Sequence, residues 1–345
     1  MFISNILNIK DNGKCIVERQ RTNIPHFTKD WNQISIEYNQ DSQILREKYN
    51  KIRNKIFQNR ESRVHPQKDD KILTDWNGLM IAALARSASV FNNDEYKNAA
   101  IKAMDFVLKE LRYPDGRLKK RYRNGNSGLD AVLDDYAFTI WALIELYQVV
   151  FDPKYLEAAM ELSDIQFDHF WDFESHGFFF TSDDGEKLLV RSKEIYDGAI
   201  PSGNSVSANN FIRLGRLTSH PDYEEIAFNT INAFANRLNR GSSGYSMMMQ
   251  AVNFVFGPSF EVLIIGDENN PETKDMIQGI SEIYQPNMVT VFSDIKNNKL
   301  KSVIPFIKNY PLTENGKPMV YVCQNYICDL PTSDIESVKK QLGVK

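Results

Sequence analysis

The sequence predicts a mainly α protein of repeated helical hairpins, followed by a small α/β appendage. Apolar residues recur at three and four residue steps through residues 41–60 and again between 80 and 256. A plan of polar motif, apolar helix, short turn and second helix returns with a period of about sixty residues. Beyond residue 257 short β-like runs alternate with helical ones. The expected organisation is an irregular segment 1–40, a hairpin ring 41–257 and an appendage 258–345.

With 345 residues, 42% of them hydrophobic, the chain is long enough to bury a substantial core. Its first forty residues are Asn-rich and weakly patterned, broken by Gly13 and Pro25. Ile44, Leu45, Tyr49, Ile52 and Ile56 then give one buried face to a helix over 41–60. In the first repeat, Trp76-Asn77-Gly78-Leu79 leads into a helix over 80–91, and Asn93-Asp94-Glu95-Tyr96 opens its partner. In the second, Asp134-Asp135-Tyr136-Ala137 leads into 138–150, and Asp152-Pro153-Lys154-Tyr155 opens the next. In the third, Ser202-Gly203-Asn204-Ser205 leads into 206–217, and Pro221-Asp222-Tyr223 follows.

The first helix of each pair is apolar nearly all round and the second is mixed, as for inner and outer helices of a ring. A fourth inner helix is expected over 245–256. The connections between pairs are long, and the runs Gly116 to Gly125 and Gly177 to Gly185 read as small β-hairpins over one mouth. In the appendage, strands are expected over 260–265, 288–292 and 319–323, with helices over 271–284, 300–307 and 333–342.

The formal net charge of −4 gives no basic field for a polyanion, so nucleic-acid binding is not expected. No long apolar window calls for a membrane, and with no secretory leader pattern the expected location is cytoplasmic. Cys15, Cys323 and Cys328 read as ordinary reduced thiols, and no motif calls for a cofactor or metal.

Inner helices of stacked hairpins run parallel, so their polar motifs should meet at one end. The groups gathered there would be Asp70, Trp76 and Asn77 from the first unit, and Asp134, Asp135 and Tyr136 from the second. The loop and third unit add Trp171, Arg191, Lys193, Glu194, Tyr196, Asp197, Ser202 and Asn204. Carboxylates, exposed aromatic rings and amide or guanidinium donors suit sugar hydroxyls. Asp134, Asp135 and Asp197 are the candidate catalytic residues, since paired carboxylates can serve as acid and base in glycoside chemistry. Each has a plainer reading: Asp134 as an N-cap, Asp135 as a first-turn carboxylate facing the helix dipole, and Trp76 as a packing residue. No histidine stands at an inner-helix start, which favours carboxylate chemistry over a paired-histidine epimerase.

Four ordered motifs resemble the thioredoxin domain-containing proteins of the YyaL and spermatogenesis-associated protein 20 type. They are Asp69-Asp-Lys-Ile-Leu-Thr-Asp-Trp-Asn-Gly-Leu-Met80, Leu133-Asp-Asp-Tyr-Ala-Phe138, Arg191-Ser-Lys-Glu-Ile-Tyr-Asp-Gly-Ala-Ile-Pro-Ser-Gly-Asn204, and Tyr321-Val-Cys-Gln-Asn-Tyr-Ile-Cys328. The resemblance implies an (α/α)6 toroid of the six-hairpin glycosidase class, related in shape to N-acylglucosamine 2-epimerases, with its pocket at the motif end. Such proteins carry a thioredoxin-like domain and first hairpins that this chain lacks, so it looks like a C-terminal half. About eight barrel helices are expected against the twelve of a closed ring. The implied function is a carbohydrate-active domain, glycosidase- or epimerase-like, that binds a sugar or sugar derivative. The alternative is a noncatalytic binding or scaffold half, working with a chain that supplies the thioredoxin-like part.

Overall fold

The computed structural model describes residues 2–296, 299–310, 316–324 and 326–344, and divides into two compact units, Met1–Asp69 and Asp70–Lys345. The first unit holds α1 (Phe2–Ile6), the short hairpin β1 (Cys15–Val17) and β2 (Gln20–Thr22), α2 (Trp31–Tyr38) and α3 (Ser42–Glu61). Ile6, Ile34 and Leu45 form its buried centre, with Phe2, Trp31 and Tyr38 around them. The segment expected to be irregular is thus ordered by Asp30 and Asp41, whose carboxylates cap α2 and α3. Helix α3, expected as a barrel helix, belongs to this unit.

The second unit begins with β3 (Ile72–Leu73) and then runs through three helical hairpins: α4 (Thr74–Phe91) with α5 (Asp94–Glu110), α6 (Leu133–Val150) with α7 (Pro153–Phe170), and α8 (Gly203–Thr218) with α9 (Pro221–Arg240). Between α5 and α6 lie β4 (Lys119–Arg123) and β5 (Asn126–Asp130). Helix α10 (Ser246–Phe256) follows as a fourth inner helix. The arrangement is a partial (α/α) toroid, with seven barrel helices among the described residues of this unit. Every residue of α8 is buried, whereas α9 buries one stripe, Tyr223, Ala227, Thr230, Ile231, Phe234 and Leu238.

Neighbouring inner helices are parallel and close. Gly78 of α4 lies against the Phe138 carbonyl of α6, where a Cβ would stand 2.7 Å from the carbonyl carbon. The Asn210 side chain of α8 donates to the Ala137 carbonyl at 2.7 Å, tying α8 to α6 on the other side. The first long connection does form a hairpin: Asn124 and Gly125 both have positive φ, 51° and 78°, the conformation of a tight two-residue turn. Strand β3 pairs with β4 and extends that hairpin to three strands. The second expected hairpin is absent from 177–185, where Phe178 makes only an isolated bridge to Trp171.

The appendage is built on β6 (Phe260–Gly266), α11 (Pro271–Ser281), β7 (Met288–Asp294), α12 (Leu300–Val303), β8 (Met319–Gln324), β9 (Ile327–Cys328) and α13 (Ile335–Gln341). Its sheet order is β7-β6-β8-β9, with β6 and β7 parallel and the other pairs antiparallel. The helix expected over 300–307 is a single turn followed by a 3-10 segment, because Pro305 interrupts it. Thr290 donates to Gln148 and Arg216 to Glu261, so the sheet rests on the C-terminal ends of α6 and α8. Among the described residues no helix is long and apolar enough to cross a membrane.

Cys323 and Cys328 are disulfide-bonded, against the expectation of free thiols. The register supplies the reason: β8 and β9 place the two residues directly opposite each other. Asn325, within the same motif, lies outside the described residues. Alkylation of the denatured, unreduced chain should therefore label Cys15 alone, and after reduction all three cysteines, as read by peptide mass mapping. Gly78→Ala should lower stability by about 1–3 kcal/mol in urea unfolding, since backbone rather than a movable side chain blocks the new methyl. The gain in helix propensity from alanine, about 1 kcal/mol, is the smaller effect.

Candidate functional site

The N-terminal ends of α4, α6, α8 and α10 meet, and acidic side chains join them. Asp135, on the first turn of α6, is fully buried. Its Oδ1 accepts the Asp75 N–H of α4 at 3.0 Å and the Lys120 ammonium at 3.1 Å, while Oδ2 accepts the Val132 N–H at 2.8 Å. Lys120 reaches in from β4 and also bonds Asp75 Oδ2 at 2.7 Å. Asp134 faces the next helix: the Gly203 N–H of α8 donates to it, and a Cβ at Gly203 would lie 2.5 Å from its Oδ1. Only glycine allows that approach. Asp197 accepts from Ser202 at the start of α8 at 2.9 Å, and from Met247 and Met248 of α10 at 2.8 and 3.2 Å.

Each clamp uses N–H groups that a helix start leaves without intrahelical partners, and each places negative charge at the positive end of a dipole. The electrostatics are unequal. Burial pushes Asp134 up to about 6, with Lys120 opposing and Asp75 and Glu194 adding to the rise. Burial likewise pushes Asp135 up to about 7 against the pull of Lys120. Burial weighs against the Lys120 charge, yet Asp135 and Asp75 hold its pKa above the ordinary lysine value. Asp134 is half-buried and Asp135 enclosed, so only the former can meet a ligand. Asp135 is placed to position Lys120 and Asp75.

Trp76 and Tyr196 are exposed, at 62% and 69%. Trp76 occupies the same first turn as Asp75, and Tyr196 precedes Asp197. Glu194 is exposed, and its charge acts on Asp134. Ser202 caps α8 through the Ser205 N–H. These residues lie at or beside the joined helix starts, where the sequence places the mouth. Asn77 instead bonds the Leu73 carbonyl, Asp70 pairs with Arg123 on β4, and Tyr136 is buried, accepting from the Leu118 N–H. Asn204 is buried and threads the loop to α8 through the Phe178 backbone and the Glu194 carbonyl.

The remaining expected residues do not join this group. Arg191 donates to the Thr181 and His169 carbonyls and lies over the Phe179 ring, and Lys193 bonds Asp172 at 2.6 Å. Both brace the long loop. Trp171 lines a different cleft, between α7 and α9, with Phe167, Phe173, His176 and Tyr223. Among the described residues, His169, Asp183 and Asp184 could bring three ligand atoms together for a metal, but Asp184 already holds Arg117 through both oxygens.

Asp75 and Lys120 join the site although neither is among the residues expected there. Asp75 lies inside the quoted Trp76 motif run, and Lys120 could have been found from the alternation of β4, which sends one residue in two to the helix ends.

No protein-family model matches the chain. Spermatogenesis-associated protein 20 from Homo sapiens is 31% identical over 313 residues, covering 88% of this chain and 40% of that protein. The Rattus norvegicus protein is 32% identical over 299 residues, covering 84% and 38%. The chain spans about two-fifths of the length of these relatives. Among solved structures, cellobiose 2-epimerase from Bacillus thermoamylovorans B4167 superposes with a TM-score of 0.47 at 13% identity, over 77% of this chain and 68% of that one. Cellobiose 2-epimerase from Spirochaeta thermophila gives 0.46 at 16% identity, over 56% of each chain.

The raised carboxyl pKa values set a pH dependence. Above the ordinary aspartate value of 3.8 the unfolded chain has released these two protons, while the folded state keeps them to about 6 and 7. Stability from this pair therefore falls as pH rises through that window. Urea unfolding at pH 5 and pH 8 should show a smaller loss for Asp134→Asn than for the wild type.

Proposed function

Over the region that it spans the chain belongs to the spermatogenesis-associated protein 20 family, and from that premise we propose that the mouth binds a sugar or sugar derivative. One observation carries the reading: a half-buried carboxyl, Asp134, sits at the junction of parallel helix starts with its pKa raised to about 6, beside an exposed second carboxylate. Exposed Trp76 supplies a ring face for a pyranose.

In this reading Asp134 donates a proton to a departing glycosidic oxygen or a sugar carbonyl oxygen, and the exposed carboxylate of Glu194 beside it takes one, from a water or from the sugar carbon. Asp135 and Asp197, with their oxygens held by Lys120 and by backbone N–H groups, keep the helix ends in register. Lys120 prevents the acidic cluster from repelling itself apart.

A second reading is favoured by the same clamps. Two of three expected catalytic aspartates are occupied in holding helices together, as in a noncatalytic binding half that works with a separate thioredoxin-like part. The two readings differ in turnover, not in binding.

Titration with neutral mono- and disaccharides, followed by tryptophan fluorescence and isotope-edited NMR, should show saturable binding by the wild type. Trp76→Ala should weaken it at least about ten-fold, equivalent to roughly 1.4 kcal/mol. Asp134→Asn should keep binding while abolishing any hydrolysis or epimerisation. Absence of binding by the wild type, or equal binding by Trp76→Ala, would overturn the mouth. Binding without turnover selects the second reading.

A further inference from the structure

Below the joined helix starts, the inner faces of the helices enclose a cleft of about 370 Å³ that runs from Leu79 and Met247 to Glu145, about three turns beyond Asp134 on α6. Asp134 and Glu145 lie on one stripe of α6, with Phe138 and Trp141 between them at helical spacing. The cleft has a charge pattern of its own. Glu145 accepts the Arg213 Nη1 of α8 at 2.8 Å and the Trp141 indole N–H at 3.0 Å. Arg86 of α4 faces the other carboxylate oxygen at 4.0 Å, with its side chain 56% exposed. Burial acts to raise the Glu145 pKa, but Arg213 and Arg86 outweigh it and keep the group ionised.

Two guanidinium groups thus share one carboxylate, and among the described residues no other ionisable group lines the cleft. A structural ion pair needs one arginine; the second leaves a positive charge at a concave surface. Asn209 and Gln250 add side-chain amides that make no hydrogen bond among the described residues. Leu79, Met247 and Met288 supply apolar walls. A volume near the lower end of small-molecule sites suits a single sugar-sized ring. Arginine forks match planar oxyanions in two parallel hydrogen bonds.

We propose that this cleft binds a small oxyanion-bearing ligand of monosaccharide size, a sugar acid or sugar phosphate, with Arg86 and Arg213 holding the anionic group and Asn209 and Gln250 the hydroxyls. The anion grip lies about three turns from the mouth and does not require the mouth to bind sugar. Glu145 orients both arginines and Trp141, and so positions the anion grip without touching the ligand.

The test follows the Trp141 indole N–H signal, assigned with Trp141→Phe, in the full chain titrated with D-glucuronate, glucose 6-phosphate and D-glucose. At least one anion should shift the signal saturably while glucose does not, and added salt should weaken the response. Which anion succeeds assigns carboxylate or phosphate as the recognised group. Arg86→Gln, at an exposed side chain, should reduce anion affinity at least ten-fold. Trp76→Ala should leave it unchanged, which separates this inference from the fate of the mouth. No shift with either anion, an equal shift with glucose, full affinity in Arg86→Gln, or loss in Trp76→Ala would each overturn it.

Discussion

Parallel inner helices bring four positive dipole ends and many unpaired N–H groups to one place, and the second unit depends on neutralising them. Isolated caps would satisfy each helix by itself. Here the carboxylates reach sideways: Asp135 from α6 to α4, Asp134 from α6 to α8, and Asp197 from the preceding loop to α8 and α10. One set of bonds therefore caps the helices and fixes their relative height. The price of that economy is a cluster of buried negative charge, which Lys120 offsets from a strand that no helix provides. Removing that lysine would leave Asp75 and Asp135 without their common counter-charge, the most costly kind of buried group.

Adjacent residues on one helix turn consequently have different chemistry. Asp134 and Asp135 are consecutive, yet a helix rotates neighbours by about 100°, which leaves one facing the mouth and the other facing α4. The first keeps an approachable carboxyl and the second has none. The motif Asp134-Asp135 is better understood as one approachable carboxyl and one brace than as a matched pair.

Much of this was legible in the sequence because it rests on local rules. The inner helices, their polar starts and the tyrosine-led outer helices follow from hydrophobic period and capping residues. Convergence of the motifs follows from parallel stacking. The oxygens of Asp197 could not be assigned from the sequence, because Met247 and Met248 lie some fifty residues away and only the fold brings their N–H groups to it. The Arg213 and Glu145 pair was invisible for the same reason, being 68 positions apart on two inner helices that read as apolar nearly all round. Arg191 and Lys193 look like site residues by type, but their partners are the carbonyls of Thr181 and of His169 at the end of α7, and Asp172. The pairing of Cys323 with Cys328 was missed because spacing alone argues against it, whereas strand register decides it. The order in residues 2–38 was missed because a small core of Ile6, Ile34 and Leu45 has too few members to show a period.

The Asn124-Gly125 turn has a reach beyond its own hairpin. Lys119 reaches Ser127 on β5, and Asp130, opposite Lys119 in the register, accepts the Tyr113 hydroxyl of the preceding connection at 3.0 Å. A turn one residue longer or shorter would move every β5 side chain to the other face of the ribbon and take Ser127 and Asp130 from these partners. The turn therefore works as a gauge block: its length sets which β5 groups stand beside the strand that carries Lys120 to the acidic junction. Loop-length variation, ordinarily the most tolerated change on a protein surface, is confined here by the pairing of the strand that follows it.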